Sequence, residues 1–240
     1  MKAIDVFERY EKKYLMTRSQ YKKLKMVLKE RMEIDEYGLH TICNVYFDTP
    51  DYYLIRTSLS KPLYKEKFRL RSYGIPKEND KVFLEIKKKF DGIVYKRRIP
   101  LTLSEAEQYL YQNKRMKEQT QIGTEIDWMF ERYNLLPAVY IAYDRIAMYD
   151  KEDPNLRVTF DQNIRFRENN LHLNKGSYGQ NILDDERVLM EVKIPGSMPM
   201  WMSQLFSELG IFSGSFSKYG YCYNNFMTNM NMKKGGIDCA

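Results

Sequence analysis

The sequence predicts an antiparallel α+β fold, in which strands joined mostly by short links are interspersed with a smaller number of helices. Strand-like segments, in which charged and apolar residues alternate with a period of two, recur along the whole chain of 240 residues. Most neighbouring segments are separated by hairpin-length connections, whereas parallel strands need crossovers of about a dozen residues or more. This combination is typical of an antiparallel sheet flanked by helices.

Strands are predicted where the alternation lies between turn signals. Two of them are joined by Phe90-Asp91-Gly92, a short hairpin signal that contains glycine. Residues 167–185, rich in Asn, Gly and Asp, are predicted to form a long loop or a β-excursion. The predicted strands cover 4–15, 40–49, 63–73, 81–89, 93–100, 138–149, 155–166 and 186–194.

Helices are predicted from capping signals and apolar spacing. The first begins after Thr17, which forms a capping box with Gln20, and its predicted apolar stripe is Leu24, Val27 and Leu28. The predicted helices cover about 18–31, 102–111, 124–134, a segment that starts at Ser197 and Pro199, and 218–229, with a short helical segment after residues 48–53.

Charged residues, mostly basic, occupy alternate positions on several predicted strands, so each set lies on one face of its strand. A single such strand would be an ordinary solvated sheet face. If the strands close into a barrel, however, these residues line its lumen, where two like charges about 5–6 Å apart repel by roughly 3 kcal/mol. Such a lumen needs a polyanion, and phosphate chains are the obvious candidate. The sets are Arg9, Glu11 and Lys13; Arg69 and Arg71; Glu85 and Lys87; Lys96 and Arg98; Arg157 and Asp161; Glu191 and Lys193.

Composition narrows the classes of function. The net charge of +7 favours anionic partners without naming them. Three scattered cysteines predict a reduced, cytoplasmic chain, and no segment is apolar enough to predict a membrane span. Only two histidines are present and no Gly-rich phosphate loop is visible, which argues against His-based triads and leaves phosphate recognition to side chains.

The carboxylates among the basic residues have two alternative roles. They can pair with neighbouring bases, or they can hold a divalent cation that bridges phosphates. For Glu11 and Glu85 we favour pairing, and Glu191, on the last predicted strand, is the preferred metal ligand.

Nine short motifs resemble, in order, those of the VTC-type (vacuolar transporter chaperone) domain of the triphosphate tunnel metalloenzyme superfamily. The resemblance runs from about residue 5 to about residue 225. The motifs are RYEKKYL, NVYFDT, KFRLRSYG, VFLEIKKK, YKRRIPL, YIAYDR, LRVTFD, LMEVKIP and FSKYGY.

The resemblance implies an antiparallel tunnel of eight strands flanked by helices. We expect residues 1–230 to form a single domain and residues 231–240 to be a disordered tail, as is common at chain ends. It implies an ATP-dependent polyphosphate polymerase, a metal-dependent phosphotransferase that uses Mn²⁺ or Mg²⁺ and takes ATP as phosphoryl donor. Its expected partners are ATP, triphosphate and polyphosphate chains, with no nucleic acid.

The resemblance also implies roles for individual residues. The metal ligand is Glu191, and Lys193, Ser217 and Lys218 are acceptor-side phosphate contacts. Tyr143 and Arg98 are further binding residues. The implied catalytic contacts to the nucleotide and its phosphates are Lys13, Arg69, Arg71, Lys87, Lys96, Arg145 and Arg157.

The chain departs from related families at two positions. The CYTH-type triphosphatases open with Glu-x-Glu-x-Lys, whereas this chain has Arg9, Glu11 and Lys13, which weakens a hydrolase interpretation. Ser215 stands where eukaryotic polymerase subunits are expected to carry a lysine. Without the regulatory and transmembrane segments that accompany eukaryotic VTC domains, the chain resembles a free-standing, bacterial-like version.

Three alternatives stay open. The chain could be a tunnel-fold triphosphatase that hydrolyses inorganic or nucleoside triphosphate, or a non-catalytic module that binds polyphosphate or nucleotide. RNA binding is the third, but the KKK and KRR runs are better explained by one tunnel-facing residue with solvated neighbours.

Overall fold

The structure is a computed structural model that describes residues 9–91, 93–112, 114–116 and 120–228. The side chain of Arg9, residues 1–8 and the predicted tail 231–240 lie outside the described part. The described chain falls into two compact units, each built from separate chain segments. The amino-terminal unit comprises the described residues within Met1–His40, Tyr143–Ile164 and Leu183–Phe216, and the central unit those within Thr41–Ala142, Arg165–Ile182 and Ser217–Ala240.

The described strands form one antiparallel sheet, which confirms the predicted class of fold. The hydrogen-bonded order is β11-β1-β10-β8-β7-β3-β4-β5-β6, with β2 paired to β7 and β9 to β8. The strands are Arg9–Thr17 (β1), Met32–Ile34 (β2), His40–Asp48 (β3), Tyr64–Tyr73 (β4), Lys81–Phe90 (β5), Ile93–Thr102 (β6), Leu136–Asp150 (β7), Arg157–Arg167 (β8), Gln180–Asn181 (β9), Arg187–Pro195 (β10) and Ser213–Gly214 (β11).

Helices flank the sheet in both units. A 3₁₀ turn at Leu173–Lys175 lies in the predicted long loop, and a π-helical turn at Tyr223–Met227 continues the last helix. The α-helices among the described residues are Arg18–Arg31 (α1), Tyr53–Leu59 (α2), Leu103–Gln112 (α3), Gln121–Tyr133 (α4), Met200–Glu208 (α5) and Lys218–Cys222 (α6).

Helix α1 begins where the sequence predicts. The Thr17 hydroxyl accepts a hydrogen bond from the Gln20 amide N–H, and the Gln20 side chain accepts one from the Thr17 N–H, so the capping box is confirmed. The predicted apolar stripe is correct at Leu24 and Leu28 but wrong at Val27, which is 37% exposed. Tyr21 completes the buried stripe instead, because it lies one turn before Leu24 on the same face.

The core of the amino-terminal unit lies between α1, α5 and the apolar face of β1, β10 and β8. The Tyr21 ring packs edge-on against Phe160 of β8 with 4.9 Å between ring centroids. Val188, Met190 and Val192, which alternate with the charged positions of β10, are fully buried. The alternation of charged and apolar residues predicted for this strand is therefore confirmed.

The core of the central unit is a separate cluster with aromatic side chains at its centre. Phe68 of β4 lies 5.4 Å from Phe47 of β3 and 5.3 Å from Phe130 of α4, measured between ring centroids. These edge-to-face contacts hold α4 against the apolar face of β3 and β4. Glu85, Arg69, Arg71, Lys87 and Lys96 alternate with these apolar positions and therefore lie on the opposite face.

The eight-stranded closed tunnel is not confirmed. Eight strands among the described residues are long, from 9 to 15 residues, but the sheet has 11 strands in total and its path ends at β11 and β6. Three short strands were not predicted as separate elements: β2, β9 and β11. Strands of two or three residues are too short to show an alternating pattern.

Replacing Leu24 with alanine should lower the free energy of unfolding by about 3 kcal/mol, because it opens a cavity in a fully packed core. Met26 lies on the same helix but is 65% exposed, so Met26→Ala should change that free energy by less than about 0.5 kcal/mol. Urea unfolding monitored by circular dichroism measures both. Equal costs at the two positions would contradict the proposed orientation of α1.

Candidate functional site

The polar face of the central unit collects residues from four neighbouring strands. In the strand register Tyr46 lies opposite Arg69, Arg69 opposite Glu85, and Glu85 opposite Arg98. Directly opposed residues of antiparallel strands point to the same face. The phase that the sequence predicted for β4, β5 and β6 is thus one continuous face, which also includes polar side chains of β3.

Glu85 is the centre of this face and is almost fully buried, at 2% exposed. Its Oε2 accepts a hydrogen bond from Arg69 Nε at 2.8 Å and lies 3.7 Å from Arg71 Nε. Its Oε1 lies 2.8 Å from Lys96 Nζ. Three cations therefore share one carboxylate, and the group has a surplus of positive charge. The prediction that Glu85 pairs with bases agrees with this geometry.

The pKa values of the group reflect this crowding. Burial opposes ionisation of Glu85, but Arg69, Arg71 and Lys96 outweigh it and lower its pKa to about 2. Desolvation lowers the pKa of Lys96 to about 8, against the opposing effect of Glu85 and with the help of both arginines. The lysine is therefore the one member of the group that titrates close to neutral pH.

Second partners hold the two arginines in place. Arg69 donates to the Tyr46 hydroxyl at 3.0 Å, and Arg71 donates to Asn44 Oδ1 at 2.9 Å. The Asn44 amide in turn donates to the Ile141 carbonyl oxygen at 3.0 Å. Both guanidinium groups are thus oriented by neutral groups as well as by Glu85.

A row of lysines continues the face beyond Glu85. Lys87 lies opposite Lys67 on β4 and opposite Lys96 on β6. The Lys67 ammonium donates to Ser217 Oγ at 3.1 Å. The remaining predicted residue of these strands, Arg98, is exposed and places its guanidinium 4.8 Å from the centre of the Phe83 ring.

The segment that contains Ser217 and Lys218 is tied to the sheet by a buried carboxylate. Asp48, fully buried at the end of β3, accepts a hydrogen bond from the Tyr219 hydroxyl at 2.9 Å and from the backbone N–H groups of Leu54 and Ile55 at 2.8 and 3.0 Å. Burial raises the pKa of Asp48. The carboxylate thus fixes both α2 and α6.

The polar face of the amino-terminal unit has a different composition. Lys13 Nζ lies 3.3 Å from Glu191 Oε1 and 3.6 Å from Glu11 Oε1, and donates to the Phe216 carbonyl oxygen at 3.0 Å. Arg145 lies 3.7 Å from the other oxygen of Glu191. Here bases and acids are balanced, in contrast to the surplus of bases around Glu85.

Arg145 is held by a bidentate ion pair with Asp161. Its Nε and terminal nitrogen lie 2.6 and 2.7 Å from the two carboxylate oxygens, and Asp161 is fully buried. Burial disfavours the charge of Arg145, but Asp161 outweighs it and raises the arginine pKa well above its ordinary value. The guanidinium lies 5.1 Å from the ring of Tyr143, the other residue predicted on this strand.

The remaining predicted residues of this unit lie in register with the same face. Lys193 of β10 lies opposite Glu11 of β1 and opposite Arg157 of β8. Arg157 is exposed and donates to the Pro154 carbonyl oxygen at 3.2 Å.

The structure thus divides the predicted residues between two faces. Lys13, Tyr143, Arg145, Arg157, Glu191 and Lys193 belong to the amino-terminal unit, and Arg69, Arg71, Lys87, Lys96, Arg98, Ser217 and Lys218 to the central unit.

No three or more His, Cys, Asp or Glu side chains come together as a metal site within the residues that the structure describes. One observation near Glu191 is relevant to a metal. Thr159, opposite Glu191 in the register, has a buried hydroxyl oxygen without a hydrogen-bond partner among the described groups. The protein oxygens here suit a cation that arrives with its phosphates, since Mg²⁺ is usually bound by one or two carboxylates together with phosphate oxygens.

Sequence reasoning missed several residues of these faces. Lys67 is in phase with Arg69 and Arg71 and could have been found from that spacing. Asn44, Tyr46 and Asp48 alternate on β3, but without charge at the first two positions the pattern resembles a buried strand. The neighbours of the predicted tunnel-facing residues in the KKK and KRR runs form ion pairs and still keep solvent contact, with 26% of the Lys88 side chain and 44% of the Arg97 side chain exposed. Lys88 lies 3.6 Å from Glu66 and 3.7 Å from Glu125, and Arg97 is ion-paired with Glu125.

Comparisons with known proteins agree with this architecture. The family model described as the VTC domain matches residues 8–227. A provisionally named adenylate cyclase from Bacillus halodurans is similar in structure, with a TM-score of 0.57 and 14% identity over 90% of this chain and 96% of its own. A provisionally named adenylyl cyclase from Hippeastrum, described as having a dominant triphosphatase activity, has a TM-score of 0.52 and 15% identity over 87% of this chain and 92% of its own.

At this identity the two structures show likeness of fold alone. No curated protein matches the chain. Within the described residues, no helix combines the length and the apolar character needed to cross a membrane.

Changing Asp161 to asparagine should lower the free energy of unfolding by about 3 kcal/mol, because it removes the bidentate partner of Arg145, whose side chain is only 14% exposed. The control is Asp184→Asn, which removes an exposed carboxylate 4.0 Å from Arg187 and should cost less than about 0.5 kcal/mol. Urea unfolding measures both variants. A cost for Asp161→Asn as small as that of the control would show that Arg145 does not depend on this pair.

Proposed function

Because the chain belongs to the VTC domain family, we propose that it is an ATP-dependent polyphosphate polymerase. In this proposal the terminal phosphate of a metal-bound nucleotide passes to the end of a phosphate chain. The reaction takes place in a tunnel of eight antiparallel strands, which is part of the proposal. The observation that carries the proposal is the surplus of cations around Glu85, where Arg69, Arg71 and Lys96 share one carboxylate. A surplus of this kind requires an anionic ligand.

The two faces suit different parts of the substrate. The lysine row of the central unit, with Ser217 and Lys218, offers repeated point charges, which suit a chain of repeating phosphates. The balanced face of the amino-terminal unit offers Glu191, a carboxylate with bases on both sides. We assign the metal to this face and the polyphosphate to the lysine row.

The chemistry follows from charge and position. Glu191 would hold Mn²⁺ or Mg²⁺, which neutralises charge on the phosphoryl group when bound. Lys13 and Arg145 contact the same carboxylate and are placed to bind the phosphates that such an ion accompanies. The attacking terminal phosphate of a chain is already an oxyanion, so no general base is required. The predicted site residues accordingly include no histidine.

The alternative is a triphosphatase, and one observation favours it. Lys13 lies within ion-pair distance of both Glu11 and Glu191, so part of the acidic pattern of CYTH-type enzymes is kept. A hydrolase must orient water beside the terminal phosphate, which carboxylates do well. A polymerase must instead hold an anionic acceptor against phosphate repulsion, and the surplus of bases suits this need better.

The products distinguish the two functions. We expect the purified protein, given ATP and Mn²⁺, to make acid-insoluble phosphate chains together with ADP, visible as a ladder on a gel. Elevated salt should weaken binding of these chains, because ions screen the basic face. Release of orthophosphate and ADP without a ladder, even when a short polyphosphate primer is supplied, would instead assign the triphosphatase activity.

Glu191→Gln should abolish turnover. Binding of metal-free inorganic triphosphate should be unchanged or tighter, because the substitution removes one negative charge next to Lys13 and Arg145. Glu186→Gln is the matched control, since Glu186 is exposed just before the same strand. An activity assay and calorimetry separate the two effects. Unchanged turnover in the Glu191 variant would remove it as the metal ligand.

A further inference from the structure

The three basic side chains around Glu85 repel one another, so they cannot hold each other in place. Lys96 extends from β6 towards two guanidinium groups of β4, so three like charges converge on one point. The lysine has a long flexible stem and keeps 41% of its side-chain surface exposed, so it could swing towards solvent. A fixed negative charge at the point of convergence is needed to hold it.

We propose that Glu85 is a positioning residue that holds the Lys96 ammonium beside Arg69 and Arg71, and so presets a cluster of three cations for an anion of the triphosphate class. The inference rests on the proposed function in its choice of ligand, but not in its geometry. Glu85 itself contacts no phosphate in this role. It acts through Lys96, whose Nζ lies 2.8 Å from its Oε1.

Three features support this role. Glu85 is 2% exposed, so the strength of its charge is little reduced by water. Its two oxygens are divided between partners, with Oε2 on Arg69 and Oε1 beside Lys96, so the carboxylate bridges β4 and β6 from its own strand. The arginines have neutral second partners in Tyr46 and Asn44, whereas Glu85 is the acid that faces Lys96.

The protonation of Lys96 depends on the same contact. The charged groups that face it are Glu85 and Lys87 on β5 and Arg69 and Arg71 on β4. Desolvation and the two arginines favour loss of its proton, and Glu85 favours retention. Without Glu85 the balance shifts towards the neutral amine, so the cluster would hold less positive charge near neutral pH.

The test is Glu85→Gln, which keeps the shape of the side chain and removes its charge. Binding of inorganic triphosphate without metal is measured by calorimetry from pH 6 to 9. The wild-type affinity should weaken as pH rises through about 8, where Lys96 loses its proton. In the variant this weakening should begin about one pH unit lower or more. Nuclear magnetic resonance titration of the Lys96 side chain should show the same downward shift.

Two controls isolate the contact. Glu66→Gln removes a different buried carboxylate, which lies on β4 and pairs with Lys88, and this variant should leave the pH profile of binding unchanged. In a Lys96→Met background, Glu85→Gln should no longer shift that profile, because the titrating group is gone. A shift that persists in this background, or a profile of Glu85→Gln that overlays the wild type, would overturn the proposal.

The outcome separates this inference from the proposed function. If the wild-type protein binds no triphosphate, the proposed function fails, and the resonance titration of Lys96 still decides the role of Glu85. If Glu85→Gln does not fold, Glu85→Asp keeps the charge but withdraws it by one methylene group. This variant should shift the titration of Lys96 in the same direction by a smaller amount, and an unchanged titration would count against the proposal.

Discussion

The structure depends on keeping like charges together on one face of a pleated sheet. Residues two apart on a strand point the same way, so each basic residue placed in phase adds to a common field. The repulsion is opposed by buried carboxylates with more than one contact each. Glu85 lies between Arg69 and Lys96, and Asp161 binds two nitrogens of Arg145. The opposite, apolar face of the same strands packs into the cores.

The balance of acidic and basic residues on the polar face differs between the two units. In the central unit bases outnumber acids, and neutral groups such as the Tyr46 hydroxyl orient the guanidinium groups without cancelling their charge. In the amino-terminal unit acids and bases are nearly matched around Glu191. Our functional proposal uses this contrast. A face on which bases outnumber acids attracts a polyanion. On a face with matched charges, a cation that arrives with phosphate can replace a lysine or arginine contact of the carboxylate.

The sequence predicted the features that repeat. Eight long strands and the phase of their charged residues follow from alternation, and the start of α1 follows from the capping box of Thr17 and Gln20. The features that depend on a single distant contact were not predictable. The hydrogen bond from Lys67 to Ser217 joins residues 150 positions apart, and no local pattern predicts that these two residues meet. Short strands such as β11 likewise exist only through their partners.

The hydrogen bond between Tyr219 and Asp48 has a consequence for how the protein is made. It joins residues 171 positions apart, and it fixes the segment that contains Ser217 and Lys218. Synthesis proceeds from the amino terminus at about 5–20 residues per second. The ribosome must therefore add most of the chain after Asp48 before its buried carboxylate finds this partner. A nascent chain therefore passes through a stage in which Asp48 lacks the tyrosine and the segment that contains Ser217 and Lys218 is not yet fixed.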